Sequence, residues 1–324
     1  MIDCHAHYLS PRIFDRDLRS LKVVFHPAAK RFEFPGGTSR PVPDALTDLD
    51  TRSSWTEVND IELQVLSPWM DLIGDDLPRQ DAVAWCRLLN DTTASDIDPL
   101  AGFRAFAALP VGDGPAAAAE LARTVETMAF VGGAIPSQVA GTDLDEANLD
   151  PLFEAAVSLD IPLFIHPFRV MAPQRLQRYF LNNVCGVPFD TTVAALQLFF
   201  SGAMDRWPGL KLVLAHCGGA LPFIAGRARQ ASRVSPAIDR AVETPGEILG
   251  RFYYDTMLHD PQALGFAASK VGVGRMVVGT DAPFPMQIEP VVDHLHRAFA
   301  DLPKDPDPFP MVTQTTPRNL LGLG

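Results

Sequence analysis

Hydrophobic and polar positions follow one repeating order along this chain: a short apolar run, a turn, and a segment with the 3.6-residue period of an amphipathic helix. Eight apolar runs have the length of strands, at residues 2–7, 63–69, 104–110, 132–137, 162–168, 210–218, 252–258 and 276–284. These runs are apolar on both faces, which is typical of parallel strands covered by helices. The pattern therefore predicts a series of strand–helix units around a parallel sheet.

Helical periodicity fills the intervals between these runs. The predicted helices lie at residues 78–97, 114–129, 150–160, 191–207, 220–234, 260–270 and 290–302. Eight such units without a second fold signal predict an α/β protein, a closed (β/α)₈ TIM barrel that forms one domain over residues 1–324. An open doubly wound sheet is the alternative, although no G-x-G-x-x-G motif follows the first run.

Two segments depart from the repeat. Residues 9–60 separate the first two runs and contain FHPAAKRFEFPGGTSRPVPD, which is rich in proline, glycine and basic residues. We expect an inserted lobe over the mouth of the barrel, with a small hairpin around Pro35 and Gly36. The segment from Phe309 to Leu323 contains TPRNLLGL, which predicts a closing C-terminal helix.

Composition limits the classes of function that remain. Of the 324 residues, 47% are hydrophobic and 20% are charged, with a net charge of −12, which disfavours binding to nucleic acid or to an anionic membrane. The apolar runs are too short to span a bilayer, and the first residues lack the pattern of a signal peptide, so we expect a cytoplasmic protein. The four cysteines show no paired spacing and are predicted to be reduced: Cys4, Cys86, Cys185 and Cys217.

Five side chains suited to metal or acid–base chemistry stand at the ends of the predicted strands: His5, His7, His166, His216 and Asp281. Positions i and i+2 of a strand share a face, so His5 and His7 are able to hold one ion together. Each residue alone has a structural explanation, as a hydrogen-bonded core histidine or as a helix cap. Since the C-terminal ends of barrel strands converge, the five together predict a metal site.

The motifs IDCHAH, FIHPF, LAHCGG and VVGTDAPFP, in this order, resemble those of the amidohydrolase superfamily, in particular its branch named for aminocarboxymuconate semialdehyde decarboxylase. LQVLSPW, FYYDTMLHDPQAL and TPRNLLGL extend the resemblance over nearly the whole chain. The resemblance implies that His5, His7, His166 and Asp281 bind one divalent ion, with Zn²⁺ preferred and Mn²⁺ as the alternative. It also implies catalytic roles for His216, as general acid or base, and for Asp281.

Further residues are candidates for contact with the substrate. The resemblance implies that Arg227 reaches a substrate carboxylate across a homodimer interface, whereas a solvated helix charge is the ordinary explanation. Arg40, in the inserted lobe, is the candidate companion by rough spacing. Trp69 and Phe284 follow predicted strands and would supply flat apolar walls, or simply pack. His259 either contacts the substrate or packs beside the mouth.

The resemblance implies a metal-dependent, non-oxidative decarboxylase acting on a small unsaturated or aromatic carboxylic acid, with a substrate oxygen held by the ion as electron sink. One alternative keeps the site and changes the reaction to hydrolysis of a lactone or amide, or to hydration of an unsaturated diacid. Another is a metal-binding protein without catalysis. In each case the expected partner is a small molecule, and no nucleic acid or membrane is expected.

Overall fold

The structure is a computed structural model that describes residues 1–98, 100–128 and 130–323. The predicted helix at 114–129 ends on residue 129, which lies outside the described residues. The strands are β1 (Ile2–Tyr8), β2 (Val24–His26), β3 (Arg31–Phe34), β4 (Gly37–Thr38), β5 (Leu63–Pro68), β6 (Phe103–Ala105), β7 (Ala107–Ala108), β8 (Gly133–Ile135), β9 (Gln138–Val139), β10 (Thr142–Asp143), β11 (Pro162–Ile165), β12 (Lys211–Leu214), β13 (Tyr253–Asp255) and β14 (Met276–Val277).

Helices follow most of these strands, as the periodicity predicts. They are α1 (Leu49–Val58), α2 (Arg79–Ile97), α3 (Gly114–Met128), α4 (Asp150–Ser158), α5 (Val187–Phe200), α6 (Ala203–Arg206), α7 (Leu221–Val234), α8 (Pro245–Leu249), α9 (Pro261–Val271), α10 (Val291–Ala298), α11 (Pro308–Pro310) and α12 (Thr316–Leu321). Among the described residues, no helix combines the length and the apolar character needed to cross a membrane.

The parallel strands form a ring. One sheet has the order β1–β5–β6 and a second has the order β7–β8–β11–β12–β13–β14, and β6 and β7 are separated only by Phe106. The other junction is closed by two backbone bonds of 2.8 Å, from the Cys4 amide to Val278 O and from the His7 amide to Ala282 O. The predicted (β/α)₈ barrel is therefore confirmed, with its first and last strands side by side.

The barrel interior is packed with side chains and is not a pore. The buried cluster inside it contains Ile2, Cys4, Val65, Phe106, Ala134, Phe164, Val213, Ala215 and Val277. Leu320 and Leu321 of α12 join this cluster, so the predicted C-terminal helix exists and covers it.

The strands end earlier than the sequence predicts. His216 and Asp281 have φ angles of 55° and 59°, a left-handed backbone that cannot continue a strand ladder. His166 is followed by Pro167, which has no N–H to donate to the ladder. These three residues consequently lie just beyond the strands, at the C-terminal mouth of the barrel.

The segment after β1 forms a lobe around an antiparallel sheet of β2, β3 and β4. The predicted hairpin is the β3–β4 turn, where Phe34 pairs with Gly37. Phe32 is fully buried in this lobe, with its ring 4.8 Å from that of Phe25 and 5.9 Å from that of Trp85 on α2. Helix α1, which lies within the predicted 9–60 segment, then leads the chain back to β5.

One predicted helix is interrupted. The periodicity at 191–207 predicts a single helix, but α5 ends at Phe200 and α6 begins at Ala203. Between them Gly202 has a φ of 75°, a conformation that glycine adopts without steric cost and that ends a helix.

Candidate metal centre

Four predicted ligands meet at the mouth of the barrel. One potential ligand atom from each of His5, His7, His166 and Asp281 lies within 4.8 Å of all the others. His5 Nε2 is 3.2 Å from His7 Nε2 and 3.3 Å from Asp281 Oδ1, and His7 Nε2 is 3.2 Å from the same oxygen. Ligands at about 2.0–2.2 Å from one tetrahedral Zn²⁺ stand roughly 3.3 Å apart, so these separations fit a single divalent ion.

A second observation supports this fit. Asp281 Oδ1 is buried and forms no hydrogen bond among the described residues, although two imidazole nitrogens lie within 3.3 Å of it. The three atoms lie around one common position. A buried carboxylate oxygen without a hydrogen bond is costly, and a shared cation would satisfy it.

The other nitrogen of each imidazole is held by a fixed acceptor. His5 Nδ1 donates to Asp255 Oδ2 at 2.6 Å, His7 Nδ1 to the Pro68 carbonyl at 3.3 Å, and His166 Nδ1 to the Pro167 carbonyl at 2.9 Å. These bonds orient all three rings with Nε2 toward the shared position, which is the usual arrangement around metal-binding histidines.

The electrostatics of the cluster favour a cation. Burial lowers the pKa of His5, but the hydrogen bond to Asp255 and the nearby negative charge of Asp281 outweigh burial and raise that pKa to about 10. Burial alone would raise the pKa of Asp281, yet His5 and His7 hold it well below its ordinary value. The two carboxylates are therefore ionised, and without an ion a proton on His5 compensates their charge.

Asp255 is a site residue that the sequence analysis did not identify. It is fully buried at the end of β13, so the strand-end rule that selected the histidines would also have selected the aspartate of FYYDTML. In addition to the bond from His5, its carboxylate accepts hydrogen bonds from the backbone amides of His216 (3.0 Å), Cys217 (2.7 Å) and Met257 (3.0 Å). One carboxylate thus ties His5 to two loops of the mouth.

Gly279 makes room for this arrangement. A Cβ at that position would lie 2.7 Å from the Cβ of Asp255 and 2.9 Å from the Cβ of His5. Both distances are shorter than a van der Waals contact, so a larger residue would displace the pair.

His216 stands beside the four ligands. Its ring centroid is 5.0 Å from that of His166 and 5.3 Å from that of His5. Burial, reinforced by the charge of His5, lowers the pKa of His216 to about 4, so the ring is neutral near pH 7. Its Nδ1 is buried and has no hydrogen-bond partner among the described residues, and the ring borders a cavity at the mouth of the barrel, so Nε2 is the nitrogen that faces a substrate there.

A cavity of about 420 Å³ opens onto the cluster. Arg40, Trp69 and Phe284 line it, together with His166, His216 and Asp281, and their contact with a substrate stays a prediction. The Arg40 guanidinium pairs with Asp71 at 2.7 Å and lies 5.5 Å from the centre of the Trp69 ring. The lining also includes Phe180 and Met286 from turns, and Asn182 and Asn183 from the π-helical turn that precedes α5.

The two remaining candidates lie apart from this cavity. His259 lines a second, adjoining cavity, and its Nε2 contacts the Met286 carbonyl at 2.7 Å. Arg227 is exposed on α7 and belongs to the lining of neither cavity. Its contact with a substrate through a homodimer stays a prediction.

The chain is similar to known proteins over nearly its whole length. It is 31% identical over 286 residues to 2-amino-3-carboxymuconate-6-semialdehyde decarboxylase of Dictyostelium discoideum. The aligned region covers 87% of this chain and 77% of the relative. It is 30% identical over 273 residues to gamma-resorcylate decarboxylase of Rhizobium radiobacter, which covers 77% and 81% respectively.

A crystal structure of dihydroxybenzoic acid decarboxylase from Polaromonas sp. JS666, with manganese and 2-nitroresorcinol bound, has the same fold. The TM-score is 0.77 at 23% identity, and the match covers 99% of this chain and 96% of that one. Residues 2–323 match the family described as amidohydrolase. The predicted resemblance is confirmed: this chain belongs to the amidohydrolase family.

Proposed function

We propose that this chain is a metal-dependent, non-oxidative decarboxylase of small aromatic or unsaturated hydroxy acids. The observation that carries the proposal is the three-histidine, one-aspartate cluster, which opens onto a cavity that also holds Arg40, Trp69 and His216. The decarboxylases among its relatives support this reaction. Strand β8 contributes Gly133, Ala134 and Ile135, none of which can bind a second ion, so the site suits one ion.

The ion would be held by His5, His7, His166 and Asp281, and when bound it supplies Lewis-acid chemistry at a substrate oxygen. We propose Zn²⁺, because three imidazoles and one carboxylate are typical zinc ligands. Mn²⁺ is the alternative, supported by the manganese in the dihydroxybenzoic acid decarboxylase structure. Metal analysis of the purified protein, and turnover after reconstitution with each ion, distinguish the two.

His216 is placed to move the proton that decarboxylation requires. Loss of CO₂ leaves the electron pair of the broken C–C bond on a ring carbon, which must gain a proton. Because the His216 ring is neutral, its Nε2 is able to accept the proton of a substrate hydroxyl and deliver it to that carbon. The hydroxyl oxygen then regains a proton from solvent, so one proton is taken up for each CO₂ released.

The remaining residues of the large cavity position the acid. Arg40 uses Nε and Nη2 to bind Asp71, which fixes the guanidinium and leaves its Nη1 donors for a substrate carboxylate. Trp69 and Phe284, with ring centroids 6.3 Å apart, offer apolar faces to a flat conjugated system. The site therefore combines an Arg40–Asp71 ion pair, whose guanidinium has free donors, with two aromatic walls.

A panel of hydroxybenzoates and muconates tests the reaction. We expect release of CO₂, measured by a coupled bicarbonate assay, together with the acid shortened by one carbon. Consumption of a lactone, an amide or an unsaturated diacid without CO₂ would instead establish hydrolysis or hydration at the same centre. Binding of metal without turnover of any compound would leave a metal-binding protein.

We also propose that two copies of the chain associate through α7, so that Arg227 enters the partner's cavity. The face of α7 beside Arg227 carries the half-exposed ring of Phe223, which stacks on Phe266 at 5.1 Å. Apolar surface of this kind is buried in many homodimers. The cytoplasmic location expected from the sequence stays a prediction.

Mixing two inactive variants tests the shared site. Arg227→Ala and His216→Asn each remove one component, and a mixed dimer restores one site that has both. After random exchange, roughly a quarter of the wild-type activity should return. A mixture that stays inactive although light scattering shows dimers that exchange subunits would place Arg227 outside the site.

A further inference from the structure

A second, smaller cavity of about 220 Å³ adjoins the first. The two share part of their lining: Asn183, Val187, His216, Asp281 and Met286. Because His216 and Asp281 belong to both, the proposed reaction centre lies where the two cavities meet. A molecule held at this centre is therefore able to extend into either cavity.

The two cavities differ in chemistry. The larger cavity contains the ion pair of Arg40 and Asp71. In the smaller cavity the residues that are not shared are mostly apolar: Val184, Pro188, Gly219, Met257, Leu258 and His259. His259 is the single polar side chain in that set, it lies at the exposed rim, and its Nε2 is engaged with the Met286 carbonyl. Among the described lining residues, Asp281 is the one acidic or basic side chain other than histidine.

The smaller cavity is formed by elements held in place around the centre. Met257 is buried, and its amide donates to Asp255 Oδ1 at 3.0 Å, so the carboxylate that orients His5 also fixes this wall. Val184 forms the outer, solvent-facing wall, since its side chain is 55% exposed. Met257 and Met286 are flexible thioethers that adapt to irregular apolar groups.

We propose that this smaller cavity is an alkyl subsite, which binds an apolar substituent on the ring of the acid while the carboxylate faces the large cavity. This inference rests on the proposed decarboxylase function and adds a substrate class to it, the alkyl-substituted hydroxybenzoates. A water molecule occupies about 30 Å³ in the liquid. The subsite, at about 220 Å³, therefore accommodates a chain of several carbons. An ionised substituent is excluded there because it would be desolvated without a partner.

A series of alkyl dihydroxybenzoates tests the subsite. The compounds carry hydrogen, methyl, ethyl, propyl or butyl at each free ring position. At one ring position we expect kcat/KM to rise about fourfold for each added methylene, as expected for transfer of a CH₂ group from water to an apolar site. In Val184→Phe, which fills the outer wall, this dependence on chain length should disappear.

Two further measurements separate the subsite from the reaction. Val58→Phe makes the same substitution at a side chain that is 80% exposed on α1, and it should keep the full chain-length dependence. Calorimetry with the corresponding alkylresorcinols, on metal-loaded protein, measures affinity without turnover and should show the same fourfold steps.

The outcomes are distinct. CO₂ release from the parent acid, with no chain-length dependence at any ring position, would overturn the subsite and leave the proposed function intact. Graded affinity for the alkylresorcinols without CO₂ from any acid would support the subsite and overturn the decarboxylase function. Graded affinity that persists unchanged in Val184→Phe would show binding elsewhere and would overturn the subsite.

Discussion

At the scale of single residues, His5 connects the metal centre to the protein around it. Its Nδ1 is 2.6 Å from Asp255 and its Nε2 is 3.3 Å from Asp281. Asp255 is ionised, since its hydrogen bond to His5 outweighs the effect of burial and lowers its pKa. A carboxylate behind a ligating imidazole fixes the ring and increases its basicity, so Asp255 should control how tightly the ion is bound.

Asp255→Asn should therefore weaken metal binding by about 10- to 100-fold, because the amide neither carries the charge nor fixes the His5 tautomer. Competition against a chromophoric chelator measures the change. Asp260→Asn is a matched control: Asp260 caps α9 by accepting the Gln262 amide, and asparagine caps equally well. Equal metal affinity in both variants would contradict the role assigned to Asp255.

The neutral histidines of the centre predict a pH dependence for the metal-free protein. Burial lowers the pKa of His7, His166 and His216, so in acid the unfolded chain binds protons that the folded chain resists. Their contribution to stability is complete above the unfolded value of about 6.5 and is lost as the pH falls through the lowered folded values, which for His216 is about 4. His5, with its raised pKa, opposes this trend only while the unfolded chain is still gaining its proton, near pH 6.5, and the three neutral histidines outweigh it.

Urea unfolding of chelator-treated protein at pH 7 and pH 5 checks this dependence. We expect a smaller free energy of unfolding at pH 5, and a smaller difference between the two pH values in His216→Asn, which removes one of the three groups. A free energy that is equal or larger at pH 5 would show that these histidines are not held neutral.

At the scale of secondary-structure elements, the apolar runs predict where the barrel strands occur, because burial on both faces excludes polar residues from them. The strand ends were not predictable in the same way. His216 and Asp281 adopt a left-handed backbone that depends on neighbouring strands, such as the bond from the Asp281 amide to His5 O. The hydrophobic periodicity of a segment carries no information about such contacts between strands. The predicted strands therefore extend past the residues at which the observed strands end.

The lobe after β1 is an element whose packing positions a site residue. Phe32 is fully buried between Phe25 and Trp85, and its amide donates to Ser39 Oγ at 3.0 Å, one residue before Arg40. The sequence predicts the hairpin from its glycines. It does not predict Asp71 as the partner of Arg40, since the two residues belong to separate segments of the chain.

Phe32→Ala should lower the free energy of unfolding by about 3–5 kcal/mol, because it leaves a cavity among aromatic rings. Since the lobe carries Arg40, KM for the acid should rise while metal affinity stays unchanged. Denaturant titration and steady-state kinetics measure these effects. Phe189→Ala removes a half-exposed ring and should change stability by less than about 1 kcal/mol. Metal loss in Phe32→Ala would show that the lobe supports the centre directly.

At the scale of the whole molecule, closure of the barrel explains why residues at opposite ends of the chain share one site. The bond from the His7 amide to Ala282 O places the first strand beside the segment that carries Asp281. The clustering of His5, His7, His166 and Asp281 was predictable because histidines and an aspartate recur at equivalent strand ends. The two cavities were not, because Asn183 and Val184 lie in a π-helical turn before α5 and Met286 in a loop, and the position of both segments depends on the assembled fold.

Stoichiometric CO₂ release is the measurement that tests the central claim most directly. Across the panel of hydroxybenzoates and muconates, metal-loaded protein should release one CO₂ for each acid consumed, and chelator-treated protein should release none above buffer. His216→Asn, with its metal retained, should be slower by about 100-fold or more. Consumption of an acid without CO₂, or equal CO₂ release from metal-free protein, would contradict a metal-dependent decarboxylase.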